Sequence, residues 1–183
     1  DDLEPRCILV GTMLKLSETL FNQPVMSLRT GQAIGKTTGL LINPDNLKIE
    51  GFYCEDKFSK DELLLLYQDI RDVIPQGFIV NDHDVLMQPR DLVRLKDIIE
   101  LDFQLLGKPV VTLNKNRLGK VIDFATEIET MYVQKIYVSQ GLLKGITGGS
   151  LGIDRNQINE ITDKKIIVND PLDKGAVRAG AIA

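Results

Sequence analysis

Gly31-Gln32-Ala33-Ile34-Gly35-Lys36-Thr37 is the stretch of this chain nearest in type to a phosphate-binding loop. Such a loop needs four residues between its glycines and a helix after the final Ser or Thr. Backbone N–H groups and the helix N-terminus then face the phosphates. Here three residues separate the glycines, and the residues after Thr37 read as a strand. Gly119-Lys120 repeats the end of the motif without the upstream Gly, so a turn in a β-structure is expected. His83, the one histidine, stands in the polar stretch Asn81-Asp82-His83-Asp84. A carboxylate-flanked imidazole can serve as a general base or metal ligand. No second His or suitably spaced Cys accompanies it, and a solvated turn is expected. Asp82 with Asp84, and Asp123 with Glu127 and Glu129, offer carboxylates to a calcium ion, but neither group has the spacing of an oxygen-ligand loop. Gly148-Gly149-Ser150-Leu151-Gly152 matches the letters of Gly-x-Ser-x-Gly. That nucleophile turn needs a strand–turn–helix elbow and a His base, and His83 falls in the other half of the chain. The sequence thus points to no catalytic residue, no cofactor and no metal site, and the chain is not expected to be an enzyme.

Recognition is the remaining class. Arg29, in the turn Ser27-Leu28-Arg29-Thr30-Gly31, together with Tyr132 and Tyr137, are the candidate partner-binding residues, because Arg and Tyr often anchor protein interfaces. The formal net charge of −4 over 183 residues argues against binding through phosphates, which normally requires a basic face. Residues 13–97 carry ten Lys and Arg against thirteen Asp and Glu, and residues 98–170 carry nine of each. Direct nucleic-acid binding is therefore not expected. The hydrophobic fraction of 43% is ordinary for a folded soluble protein. No apolar run approaches the roughly 20 residues that span a bilayer. Cys7 and Cys54 form no metal or disulfide framework, which fits a reducing cytoplasm.

An internal repeat supplies the framework for these residues. Gln23-Pro24-Val25 and Ser27-Leu28 reappear 85 positions later as Lys108-Pro109-Val110 and Thr112-Leu113, with Leu16 and Leu20 matching Leu101 and Leu105. Ile34-Gly35-Lys36 matches Leu118-Gly119-Lys120 at an offset of 84. Ile70, Asp72 and Val73 match Ile158, Glu160 and Ile161 at 88, as Phe78-Ile79-Val80-Asn81-Asp82 matches Ile166-Ile167-Val168-Asn169-Asp170. Each unit opens on a Pro-Val strand and closes on an Ile-Val strand.

Within the first unit, strands are expected over Pro24–Leu28, Ile34–Ile42, Leu47–Tyr53, Leu63–Tyr67, Gly77–Val80 and Val85–Met87. Turns fall at Arg29–Gln32 and Asn43–Asn46. Period-2 alternation places Leu47, Ile49 and Gly51 on one face and Lys48, Glu50 and Phe52 on the other. Short helical turns are expected over Asp69–Ile74 and Asp154–Ile161, and a connecting helix begins at Pro89-Arg90-Asp91 and continues through Leu92, Leu95 and Ile99. In the second unit the strands are Val110–Leu113, Gly119–Ala125, Met131–Val138 and Lys165–Val168, with a loop through Gly145 and Thr147-Gly148-Gly149-Ser150. The expected fold is mainly β: two tandem small β-barrels, residues 13–97 and 98–172, whose closure removes sheet edges. Residues 1–12 read as a leader or appended segment and residues 173–183 as a flexible Gly/Ala-rich tail.

These units resemble the PRC-barrel superfamily, whose members include the cytoplasmic part of the photosynthetic reaction-centre H subunit and the C-terminal domain of the ribosome maturation factor. The resemblance rests on Asn22-Gln23-Pro24-Val25 and Gly107-Lys108-Pro109-Val110, on Gly35-Lys36 and Gly119-Lys120, on Ile70-Arg71-Asp72-Val73 and Ile158-Asn159-Glu160-Ile161 as short helices, and on the closing Ile-Val strands. It covers nearly all of 13–170, more closely in the second unit than in the first. The first unit departs at Thr37-Thr38-Gly39 and over Asp56–Glu62. The resemblance implies a docking or scaffolding module with no shared catalytic residues. An adaptor for protein partners is the leading expectation. A ribosome-maturation or RNA-processing factor and a peripheral subunit of a membrane complex are the alternatives.

Overall fold

The computed structural model describes residues 13–140 and 149–170. The expected leader with Cys7, the loop through Gly145 and the expected tail lie outside the described residues. The protein is mainly β. Its strands are β1 (Leu14–Leu16), β2 (Pro24–Ser27), β3 (Ala33–Asn43), β4 (Lys48–Asp56), β5 (Glu62–Leu66), β6 (Ile70–Ile74), β7 (Gly77–Val80) and β8 (Leu86–Met87). After the short helix α1 (Lys96–Leu101) come β9 (Pro109–Thr112), β10 (Arg117–Glu127), β11 (Tyr132–Gln140), β12 (Ser150–Asp154), β13 (Ile158–Ile161) and β14 (Ile166–Val168).

Hydrogen bonding repeats with the sequence. The first half is ordered β6-β7-β2-β3-β4-β5 and the second β13-β14-β9-β10-β11-β12. β2 runs parallel to β7, and β9 to β14. The ladders do not close. No ladder joins β5 to β6 or β12 to β13 among the described residues, and the strands form one large mixed open sheet rather than two hydrogen-bonded barrels. The reason is local: the chain passes from β5 to β6 through a 3-10 turn at Tyr67–Asp69, and from β12 to β13 through Arg155–Gln157. In neither case do the flanking strands turn back on each other.

Four β-bulges recur at equivalent positions. Ladder partners skip Ile34 and Leu118, Thr38 and Ile122, Glu50 and Gln134, and Arg71 and Asn159. An extra residue on one strand bends it and increases its twist, so each half curls in the same places. The bulge at Glu50 corrects the expected alternation: it reverses the phase of β4 and brings Phe52 into the core beside Ile49. The Gly-Lys triplets are fixed by close approach. A Cβ on Gly35 would stand 2.8 Å from the Glu55 carbonyl oxygen, and one on Gly119 1.7 Å from that of Ser139.

The expected helices over Ile70–Val73 and Ile158–Ile161 are strands. Only the three residues before each are helical, and Asp154 and Gln157 form a capping box around the second turn. The expected connecting helix is a pair of 3-10 turns, Pro89–Asp91 and Val93–Leu95, followed by α1. Its apolar spacing still serves its purpose: Leu92 is buried against Leu41 and Leu64, with Leu95 and Ile99 packed around them. This explains the continuous apolar run in β5. Leu63 and Leu65 face the main core, Leu64 faces this second cluster, and the strand is buried on both sides.

The two halves share one core, which contains Phe52 and Phe78 of the first and Phe124, Ile136 and Ile153 of the second. They meet at the β3–β4 and β10–β11 turns. Ile49 N–H donates to the Met131 carbonyl (2.8 Å) and Val133 N–H to that of Leu47 (2.9 Å). Adding the repeat offset to one bond gives the other, which is the signature of a pseudo-twofold relation. Leu47 and Met131 are both left-handed (φ 54° and 58°) and both buried.

Candidate partner-binding site at one end of the first repeat

Three turns converge at the end of the first repeat away from this junction. The 28–31 turn is tied to the closing strand by Leu28 N–H to Val80 O (2.9 Å) and Arg29 N–H to Asn81 O (3.2 Å). The β4–β5 turn is anchored by Lys57 N–H to Ile34 O (2.9 Å). The third turn begins at Asn81 and enters a 3-10 turn at His83–Val85. Together they set Leu28, Arg29, Phe58 and His83 at the surface, with Leu28 62% and Phe58 69% exposed.

Two carboxylates hold this surface in place. Asp56 is almost fully buried at the end of β4. It accepts the His83 Nε2 contact at 2.6 Å, and its second oxygen accepts the Ser59 N–H and hydroxyl, both at 2.8 Å. Burial pushes the Asp56 carboxyl up, but the Ser59 backbone N–H and the His83 imidazole outweigh it and hold it at about 2. Asp82 pairs with Arg29 at 2.5 Å and accepts the Ser27 hydroxyl at 3.2 Å. The His83 backbone N–H and the Arg29 guanidinium keep its carboxyl below its ordinary value. The Phe58 ring meets the His83 imidazole edge-on, with centroids 5.4 Å apart. The imidazole is thus oriented from below by a buried anion and flanked by an exposed aromatic ring.

Of the three candidate residues, Arg29 belongs to this surface. Tyr132 lies at the junction of the repeats, between the Arg155 guanidinium (4.3 Å from its ring centroid) and the Lys48 ammonium (5.7 Å). Tyr137 is half-buried on β11, opposite Gly152 of β12. The structure brings neither tyrosine to Arg29.

The residues with possible chemistry take up structural positions. Ile34–Thr37 run inside β3, Lys36 reaches Glu55 at 3.6 Å, and the Thr37 hydroxyl donates to the Leu20 carbonyl at 2.8 Å. Ser150 opens strand β12, not a helix. Asp123 accepts the N–H and hydroxyl of Ser17, and Glu127 accepts Thr130 and Gln134. No group of three His, Cys, Asp or Glu among the described residues could hold a metal ion. Burial pushes the Cys54 thiol up to about 12, which makes it a packing group and not a nucleophile.

Phe58, Leu28 and Asp56 are not singled out by sequence alone. Phe58 carries a signal, as the one aromatic residue among Lys57, Ser59, Lys60 and Asp61. Asp56 carries none, since its partner lies 27 residues away. No helix among the described residues is long and apolar enough to cross a membrane. No protein-family model and no curated protein matches the chain.

Proposed function

We propose that the chain is a non-catalytic cytoplasmic adaptor, built from two PRC-barrel-like units, that binds a protein partner through the Leu28–Arg29–Phe58–His83 surface. The observation that carries this reading is the surface itself: an exposed aliphatic residue, an aromatic ring, a guanidinium and an imidazole on turns held by backbone hydrogen bonds and by the buried Asp56. Aromatic and Arg side chains on a rigid base make a few contacts dominate a binding energy. Each half is a curled six-stranded unit that runs from one end of its sheet to the other through a short 3-10 turn. This arrangement, with the repeated Pro-Val and Gly-Lys elements, supports the PRC-barrel resemblance.

The test is affinity capture from the native organism's lysate with the parent protein and with Arg29→Ala and Phe58→Ala variants, in the presence and absence of RNase. Both side chains are exposed, so the variants should melt within a few degrees of the parent. A partner retained by the parent after RNase treatment and lost with both variants is the expected result. A partner held equally by all three proteins would place the interface elsewhere. Capture of ribosomal proteins only would favour a role in ribosome maturation.

A further inference from the structure

A cleft of about 520 Å³ lies between strands β3 and β4 and the segment 99–106 that leaves α1. Phe103 and Phe124 are nearly fully buried and Phe21 half-buried, so these rings form its deep side. Glu62 and Asp102 are exposed at its mouth, with Tyr53 between the two levels. The volume falls in the range of small-molecule sites.

Charge in the cleft is unbalanced. Neither Glu62 nor Asp102 makes an ion pair among the described residues. Three lysines on neighbouring segments have partners of their own. Lys36 and Lys60 both reach Glu55, the cross-strand neighbour of Glu62, at 3.6 and 3.7 Å. Lys108 donates to the Asp163 carbonyl at 2.8 Å, with its ammonium 4.4 Å from the Phe103 centroid. Among the described residues the Asp102 carboxylate accepts only the Gln104 amide, at 3.0 Å. Burial, followed by the nearby Asp102 and Glu62 carboxylates, raises the Tyr53 phenol. The hydroxyl therefore stays protonated and feels both anions.

We propose that this cleft binds the ammonium end of an alkyl amine, either a free polyamine or a lysine side chain presented by a partner. Carboxylates and a phenol oxygen accept its N–H donors. The accessible parts of the Phe21 and Tyr53 rings attract the cation and remove the alkyl chain from water. A hydrated divalent cation fits less well, because the side chains of Phe21, Ile99 and Leu106 in the cleft offer it no oxygen.

Calorimetric titration of the full chain at low ionic strength tests this with four probes: spermidine, Nα-acetyl-lysine amide, hexanediol and calcium chloride. Saturable heat is expected from spermidine or the lysine amide, and none from hexanediol or calcium. Spermidine alone would identify the free amine as the source, and the lysine amide alone a protein side chain. Glu62→Gln and Asp102→Asn should each weaken binding at least about tenfold, the loss of one charge-assisted contact. Asn at 102 also tolerates the left-handed backbone found there (φ 44°). Unchanged melting temperatures would show both variants folded. The proposal fails if no amine saturates, if hexanediol or calcium binds as well as the amines, or if both variants bind like the parent.

Discussion

In the first repeat the far half of β3 lies against α1, whereas in the second the far half of β10 is paired with β1. Leu16 and Leu101, equivalent in sequence, thus sit in a strand and in a helix, while Leu20 and Leu105 four residues on both reach the core. The outer faces differ as well. Leu64 of β5 is buried beneath the segment 86–99, but its equivalent on β12 is the exposed Gly152, with the Lys135–Asp154 pair (3.2 Å) beside it. One curled backbone therefore tolerates two different coverings. What is repeated is bulge position and close approach. What varies is the set of side chains at the turns and on the outer face, where binding surfaces arise.

The largest expected effect tests the close approaches. Gly119→Ala places a Cβ 1.7 Å from the Ser139 oxygen at a residue whose φ is 151°. Gly35→Ala meets the Glu55 oxygen at 2.8 Å without a positive φ. Urea denaturation should show a loss of more than about 3 kcal/mol for the first and about 1–3 kcal/mol for the second. Equal losses would mean that the two ladders are held to the same tolerance and that the difference in φ carries no weight. Next come Leu47→Ala and Met131→Ala at the junction, each costing about 2–4 kcal/mol. Because both side chains are buried in one core where the two turns meet, the double variant should cost less than the sum. Full additivity would argue against a single cooperative junction.

Most strand positions and the turn residues are legible because local chemistry sets them: Pro-Val starts, Gly at close approaches, Asn-Pro-Asp-Asn at a turn. The bulges are not. Glu50 and Gln134 look like ordinary outward residues, and only the cross-strand register shows that each is skipped. Ile70–Val73 and Ile158–Ile161 read as helical turns but form strands, because such short segments have no decisive period. Sheet closure is illegible for the same kind of reason, since it depends on how two distant strands approach each other. In the candidate site Arg29 is legible from its turn and residue type. The Asp56–His83 pair depends on two turns meeting in space, which no spacing in the chain encodes.

A smaller effect distinguishes the polar end of the first repeat from that of the second, where Gln140 stands in the sequence position equivalent to Asp56. Asp56→Asn should cost about 2 kcal/mol at pH 7, because a buried anion that accepts three donors is replaced by a neutral amide. Its folded carboxyl titrates at about 2, below the ordinary 3.8. The stability it confers is therefore present above about pH 4 and is lost as pH falls towards 2. Denaturation midpoints of parent and variant should converge across that window. A constant gap would show that the charge does not carry the effect.

The smallest expected effect concerns the junction's stack of cations and rings. Lys48 lies 3.9 Å over the Tyr67 ring, and Arg155 4.3 Å over the Tyr132 ring. By the repeat offsets Lys48 is equivalent to Tyr132 and Tyr67 to Arg155, so the second repeat makes the same contact with cation and ring exchanged. Lys48→Met should cost about 0.5–1 kcal/mol, the worth of an exposed cation–π contact. Arg155→Met should cost more, since its guanidinium also donates to the Asn46 carbonyl at 2.8 Å. If the stack needs one cation per ring and is indifferent to which strand carries it, Lys48→Tyr combined with Tyr67→Lys should melt closer to the parent than either single change. A double variant no better than the worse single change would show that the order of cation and ring is fixed by the surrounding packing.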